Sequence, residues 1–295
     1  MNVERLLDNP ILVPDMDGRM GSNINGPSLV RAPSWVERPL GRYYLYFGHH
    51  QGTYIRLAYA DAVEGPWRTH EAGVLELADS YFRGHIASPD VVVDEGRREV
   101  RLYYHGVLRE EDRSLPLARH GAQATRVALS GDGLHFEARP EVLGTSYMRV
   151  FQWRGRHYGL AMPGVFYRSA DGLSGFEEGP LPFPERMRHA GLLLRGNTLW
   201  VFYSRWGDCP EHVLVSRIEL SDDWLAWRPT SPESVLRPER EWEGATCAQV
   251  ASKSGAIHEP AYQLRDPYVF EEGTQRYLLY SVAGERGIGV ARLAL

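Results

Sequence analysis

Cysteine is nearly absent: Cys209 and Cys247 are the only two in 295 residues. Two thiols build no disulfide framework and fall in no C-x-x-C pair, which excludes a cystine-stapled scaffold and a cysteine zinc site. Long apolar runs are missing as well. No stretch approaches the roughly 20 residues needed to cross a bilayer, and residues 1–15 lack a basic region followed by an apolar one, the mark of a secretory signal. Positive charge is not in excess either. The net charge is −5, and the 33 Lys and Arg, nearly all Arg, are scattered; with a pI near 6.1 this argues against a nucleic-acid partner, which calls for a basic face. A soluble, cytoplasmic protein is expected, bound to neither membrane nor nucleic acid; its oligomeric state is left open.

The common catalytic signatures are missing too. There is no H-E-x-x-H, no close His/Cys spacing, no G-x-S-x-G elbow and no P-loop. Gly284-Glu285-Arg286-Gly287-Ile288-Gly289 is glycine-rich but leads into a strand, not a helix, so it does not read as a dinucleotide site. No cofactor and no catalytic metal are expected, although the polar funnel described below has groups for a structural cation.

What the sequence has is β structure. Hydrophobic residues make up 43% and aromatics 11%, punctuated by 30 Gly and 19 Pro, a composition that suits strands and turns and can bury the core of one or two domains. Short runs bounded by Gly, Pro and Asp recur in groups. The first group has Pro27-Ser28-Leu29-Val30-Arg31, Arg42-Tyr43-Tyr44-Leu45-Tyr46-Phe47, Tyr54-Ile55-Arg56-Leu57-Ala58-Tyr59 and Val74-Leu75-Glu76-Leu77. The second opens at Pro89-Asp90-Val91, the third at Met148-Arg149-Val150 and the fourth at Gly191-Leu192-Leu193; their outer strands are expected at Glu141-Val142-Leu143, Pro180-Leu181-Pro182-Phe183 and Ser234-Val235-Leu236. The fifth group has Leu264-Arg265-Asp266-Pro267-Tyr268-Val269-Phe270, Tyr277-Leu278-Leu279-Tyr280-Ser281 and Gly289-Val290-Ala291-Arg292-Leu293, and then the sequence ends. It lacks a fourth strand, while Ile11-Leu12-Val13 is a strand without a group. Placing the spare strand in the gap closes a ring of five sheets, the repeat pattern of a propeller. The expectation is an all-β, five-bladed β-propeller over residues 1–295 as one domain, closed by its N-terminal strand.

In an antiparallel blade the start of the first strand and the end of the second share a rim, and the first strands surround the axis. That rule gathers Asn25, Asp90, Tyr147, Arg149, His189, Arg265 and Asp266 with His50, His105, Arg205, Trp206 and Glu285 at one funnel mouth. The long stretch 239–264 brings Glu243 and Glu259 to the same side. The opposite rim carries ordinary turns such as Glu95-Gly96 and Gly196-Asn197. Each residue also has a plain structural alternative. Asp266 before Pro267 can cap a turn, and the histidines can be hydrogen-bonded wall residues.

Some of these stretches resemble the five-bladed glycoside hydrolases of the arabinanase and β-xylosidase type (family 43) with their levansucrase and invertase relatives. Arg265-Asp266-Pro267 is similar to the Arg-Asp-Pro of the invertase group, in which the Asp stabilises the transition state. Asn25-Gly26-Pro27 resembles the Glu-Gly-Pro that carries the family's general acid, and Tyr104-His105-Gly106 resembles the end of a neighbouring blade. Two positions depart: Asn25 stands where the acid is expected, and Tyr147-Met148-Arg149 offers no carboxylate. The resemblance therefore implies a glycosidase with a diverged site, and only Asp266 carries over residue for residue.

Inverting glycoside hydrolysis needs two carboxyls about 6.5–9.5 Å apart. Asp266 is expected as base or oxocarbenium stabiliser, Glu243 as acid with its pKa raised by Trp242 and burial, and Asp90 as the group that tunes the pair. Asn25, His50, His105, Tyr147, Arg149, His189, Arg205, Trp206, Arg265 and Glu285 would bind a small carbohydrate. A non-catalytic carbohydrate-binding propeller, or a uronate-directed lyase or isomerase using Tyr147 or a histidine as base, stays open beside it.

Overall fold

The computed structural model describes residues 1–115, 117 and 122–295. After β1 (Asn2–Arg5) come five antiparallel sheets in sequence order. Blade one holds β2 (Asn25–Arg31), β3 (Tyr43–Gly48), β4 (Tyr54–Ala60) and β5 (Arg68–Glu76). Blade two holds β6 (Arg83–Asp94), β7 (Glu99–Val107) and β8 (Gln123–Ser130), with the short β9 (Glu137–Ala138) and β10 (Gly144–Thr145) both on the outer edge of β8. Blade three holds β11 (Arg149–Trp153), β12 (Arg156–Ala161), β13 (Val165–Ser169) and β14 (Glu177–Glu178). Blade four holds β15 (Met187–Arg195), β16 (Thr198–Arg205), β17 (Val213–Glu219) and β18 (Glu233–Leu236). Blade five holds β19 (Arg265–Glu272), β20 (Gln275–Ser281) and β21 (Ile288–Ala294), and β1 pairs with β21 to complete it. The protein is an all-β, five-bladed propeller closed by its N-terminal strand. Among the described residues no helix is long and apolar enough to cross a membrane.

The closing strand is not the expected one. Ile11-Leu12-Val13 contributes a single bridge, Leu12 to Ile288, because Pro10 and Pro14 flank it and supply no N–H for a ladder. Ile11 and Leu12 instead pack between blades five and one. The ladder belongs to Asn2–Arg5, whose register runs from Asn2 opposite Ala294 to Arg5 opposite Ala291. The outer edges of blades two and three also differ from expectation: two-residue strands pair there, rather than Glu141–Leu143 and Pro180–Phe183.

The propeller follows from apolar runs without alternation. Successive side chains of a strand face opposite ways, and here both faces of each middle strand are covered. Tyr44 and Tyr46 pack against Val91, Leu102 and Tyr104 of blade two, whereas Tyr43, Leu45 and Phe47 pack against Phe270, Leu279 and Val290 of blade five. The same division holds around the ring, giving five hydrophobic clusters, one per blade interface.

The axis is closed by Arg149. From blade three its guanidinium donates to Pro27 O at 3.0 Å, Pro89 O at 2.6 Å and Ala190 O at 2.8 Å, and it lies 5.0 Å from the Tyr268 ring centroid. One side chain thus touches the innermost strands of the other four blades. Asp90 completes the plug: Oδ1 faces Arg149 at 3.3 Å and Oδ2 accepts the Val150 N–H at 2.7 Å.

Candidate functional site

Four of the five innermost strands are interrupted where they meet the mouth. Bulges lie between Asn25 and Ser28, Ala87 and Asp90, Met187 and Ala190, and Arg265 and Tyr268. Gly26, Ser88, Tyr147 and Asp266 have left-handed backbone, with φ of 60°, 47°, 61° and 50°. For the three that carry a Cβ this conformation costs about 1–3 kcal/mol each, and a bulge re-aims a side chain out of the ladder. Pro27, Pro89 and Pro267 follow three of these residues, at positions where no ladder N–H is needed. At Gly26 an added Cβ would stand 3.0 Å from Ser88 Cα. Blade one is therefore held to glycine and sends no side chain inward from that position.

The mouth holds a cavity of about 510 Å³, lined among others by His50, Tyr147, Arg188, His189 and Trp206, with the exposed Glu185 at its lip. Behind three of these basic side chains stands a buried carboxylate. Asp266 pairs with His189 Nδ1 and accepts the Ser281 hydroxyl at 3.0 Å. Glu285 faces His50 Nδ1 at 3.0 Å and accepts from Arg265 at 2.9 Å and Asn23 at 2.7 Å. Glu211 ion-pairs with Arg188, Nε at 2.7 Å, and accepts the Ser204 hydroxyl at 2.7 Å, with Arg265 Nε at 3.6 Å. The mouth is thus two-layered: imidazoles and a guanidinium face the cavity, and carboxylates fix them from behind.

The electrostatics follow from this layering. Burial alone would raise the Asp266 carboxyl, but His189, Arg265 and the Ser281 hydroxyl outweigh it and hold it well below the usual range. Glu285 is likewise pushed up by burial and pulled lower still by His50 and Arg265. Burial lowers His189 against the opposing pull of Asp266, and its Nδ1 is paired with that carboxylate. Tyr147 lies on the His189 ring, with centroids 3.5 Å apart, and His105 lies 3.9 Å from Tyr147. His105 is fully buried with no partner on either ring nitrogen, and burial pushes it well below its ordinary value.

The segment after β18 forms one wall. Arg188 binds the Lys253 carbonyl, Arg265 binds that of Gly255 at 3.2 Å, and Asn23 binds that of Ile257 at 3.1 Å. The groups that brace the basic layer therefore also hold this wall down.

Of the residues expected from sequence, His50, Tyr147, His189 and Trp206 line the cavity, and Asp266, Glu285 and Arg265 form the layer behind. Others lie elsewhere. Glu243 is not at the mouth: it takes Arg5 Nε at 2.7 Å and Nη2 at 3.0 Å, the Tyr280 hydroxyl at 3.0 Å and the backbone N–H groups of Glu239 and Arg240. It ties the closing strand to blade five and is no proton donor to a ligand. Asp90 and Arg149 are spent in the axial plug. Arg205 folds onto Asp208 at 2.9 Å. Asn25 is buried against Asn23 at 3.2 Å, His105 stands behind Tyr147, and Glu259 is exposed on the surface. Among the described residues no group of three or more His, Cys, Asp or Glu is arranged to hold a metal ion. Arg188 and Glu211 escaped the sequence reading. Arg188 could have been found by setting Arg188-His189 against Arg265-Asp266 at the same strand entrance, and Glu211 by its place between the second and third strands of blade four.

No sequence-family profile matches the chain. It is 32% identical to the "Uncharacterized protein R118" of Acanthamoeba polyphaga mimivirus in an alignment of 305 residues, spanning 92% of this chain and 83% of that protein. Among solved structures it is similar in fold to a glycosyl hydrolase from Bacteroides ovatus, with a TM-score of 0.69 and 12% identity over 99% of this chain and 93% of that one. It is also similar to CoXyl43, a family 43 β-xylosidase/α-arabinofuranosidase from a compost microbial metagenome, with a TM-score of 0.63 and 13% identity over 99% and 96%.

Proposed function

We propose, from the premise that this chain belongs to one family with mimivirus protein R118 and has the five-bladed fold of the family 43 glycoside hydrolases, that it hydrolyses a small glycoside in the propeller mouth. The observation that carries the reading is the layered mouth itself: a cavity of about 510 Å³ faced by His50, His189, Arg188 and Trp206 and backed by ionised Asp266 and Glu285. Trp206 offers a sugar an apolar face, and the imidazoles and guanidinium offer its hydroxyls hydrogen-bond partners. Asp266 fixes the His189 ring and contributes negative charge near a developing oxocarbenium ion. The three buried carboxylates stand behind basic side chains, where none is free to attack the anomeric carbon. A single displacement by water fits that arrangement, so the product is released with inverted configuration.

The test is a screen of aryl glycosides and short oligosaccharides for new reducing ends, with the first-formed anomer read by NMR. Asp266→Asn should lower kcat about 10²-fold or more while sugar binding survives. Wild-type protein that releases no sugar from any of them overturns the reading.

One observation favours a second reading. Imidazoles, not carboxylates, face the cavity, and a guanidinium stands beside them, which also suits abstraction of a proton next to a uronate carboxylate. A lyase would give an unsaturated product absorbing in the ultraviolet and no hydrolytic reducing end.

A further inference from the structure

Resting on the hydrolase reading, we propose that His50 is the proton donor to the leaving group and that His189 accepts the proton of the attacking water. The argument is one of elimination followed by geometry. A glycosidase must protonate its leaving oxygen, and in a carboxyl-based site a raised-pKa acid does this. Each buried carboxylate at this mouth is committed to a cation or imidazole: Asp266 to His189, Glu285 to Arg265 and His50, and Glu211 to Arg188. None of them is free to turn toward a leaving oxygen. Glu185 stands at the lip, exposed to solvent and outside the basic layer.

Two imidazoles remain, and their surroundings differ. The His50 ring keeps 14% of its side-chain surface exposed, its Nδ1 lies on ionised Glu285, and its backbone N–H is pinned 2.9 Å from Asn23 Oδ1. Asn23 in turn donates to Glu285 Oε2, so ring, carboxylate and backbone form one rigid unit. With Nδ1 committed, Nε2 is the nitrogen left for a ligand. His189 keeps 7%, is stacked under Tyr147 and has Nδ1 paired with Asp266, leaving Nε2 as the nitrogen that can accept from a ligand. A carboxylate behind an imidazole sets its tautomer and steadies its charged form. Here the pairing occurs twice at one cavity, once nearer solvent and once buried, so two imidazoles, each held by a carboxylate, face the same space from different depths.

The step balances. As the bond from the anomeric carbon to the leaving oxygen breaks, its electron pair goes to that oxygen, which takes the proton from His50 Nε2. The water oxygen bonds to the anomeric carbon and its proton passes to His189 Nε2. One water is consumed and two hydroxyl groups are formed. His50 ends neutral and His189 protonated, and exchange of one proton at each with solvent restores the start.

Leaving-group dependence tests this. For the sugar that wild-type protein accepts, kcat/KM is measured on the phenyl glycoside, whose leaving oxygen needs a proton, and on the 2,4-dinitrophenyl glycoside, whose leaving oxygen does not. His50→Ala should lose about 10²-fold or more on the first and less than about 10-fold on the second, with free imidazole restoring part of the loss. His189→Asn should lose similar amounts on both, since both need the water. Binding of the free sugar by calorimetry identifies variants that remain folded, and His50→Gln replaces His50→Ala if the latter does not bind. Equal losses for His50→Ala or His50→Gln on both substrates, or no loss, overturn the assignment while leaving the hydrolase reading intact. Wild-type protein inert toward both glycosides overturns the two together.

Discussion

A single guanidinium spans the centre of this ring. Arg149 reaches carbonyls of blades one, two and four, faces the Tyr268 ring of blade five, and pairs with an Asp90 that is 4% exposed. Arg149→Met leaves that carboxylate buried without its cation and removes one donor from each of three carbonyls, and should cost about 3–5 kcal/mol, read as a shift of the urea midpoint. Adding Asp90→Val removes the stranded charge and should recover part of the loss. This also shows why site residues are hard to read from sequence. Asp90 and Asp266 both flank a proline at a strand entrance. Asp266 occupies the left-handed bulge position and reaches the mouth layer, whereas Asp90 lies two residues beyond Ser88, inside the strand, and serves the axis. A two-residue offset decides between the roles, and nothing in composition marks it. Glu243 misled for a related reason: beside Trp242 it looked like a carboxyl in an apolar pocket, but its partner, Arg5, is 238 residues away in the chain.

The middle strands of the blades were legible because their chemistry is redundant. Tyr43-Tyr44-Leu45-Tyr46-Phe47 is apolar at five consecutive positions, and only a strand covered on both faces uses such a run. The closing strand was not, since Asn2-Val3-Glu4-Arg5 has one apolar residue and an ordinary surface pattern. Its place is fixed by the ladder to β21 and by the Arg5–Glu243 pair, in which Glu243 is fully buried. Glu243→Gln removes the negative charge of that lock without changing its size, and should lower stability by about 3 kcal/mol. Deleting residues 1–8 should lower it further and expose the β21 edge, which size-exclusion chromatography would register as self-association. The sheet edges of blades two and three were also misjudged, because two-residue strands carry too little sequence to show a period.

For the molecule as a whole, the buried and half-buried histidines set the pH response. Burial lowers His49 to about 4 and also lowers His85, His105, His157, His189 and His212. The unfolded chain takes up protons on these rings below about pH 6.5, while the folded chain does so only at lower pH, so stability is full above about 6.5 and falls as the solution is acidified toward about 4. Asp132 and Asp171, held at about 2 by turn hydrogen bonds that outweigh their partial burial, add a second loss as pH falls from about 4 toward about 2. Thermal melts from about pH 7.5 to about pH 4.5 should show a falling midpoint, and His105→Gln, whose side chain takes up no proton in this range, should flatten the fall. The stopper at the hub has a further effect on traffic. With Arg149 laid across its axis, the ring is a cup, not a tube: a ligand of the mouth enters and leaves over the same lip.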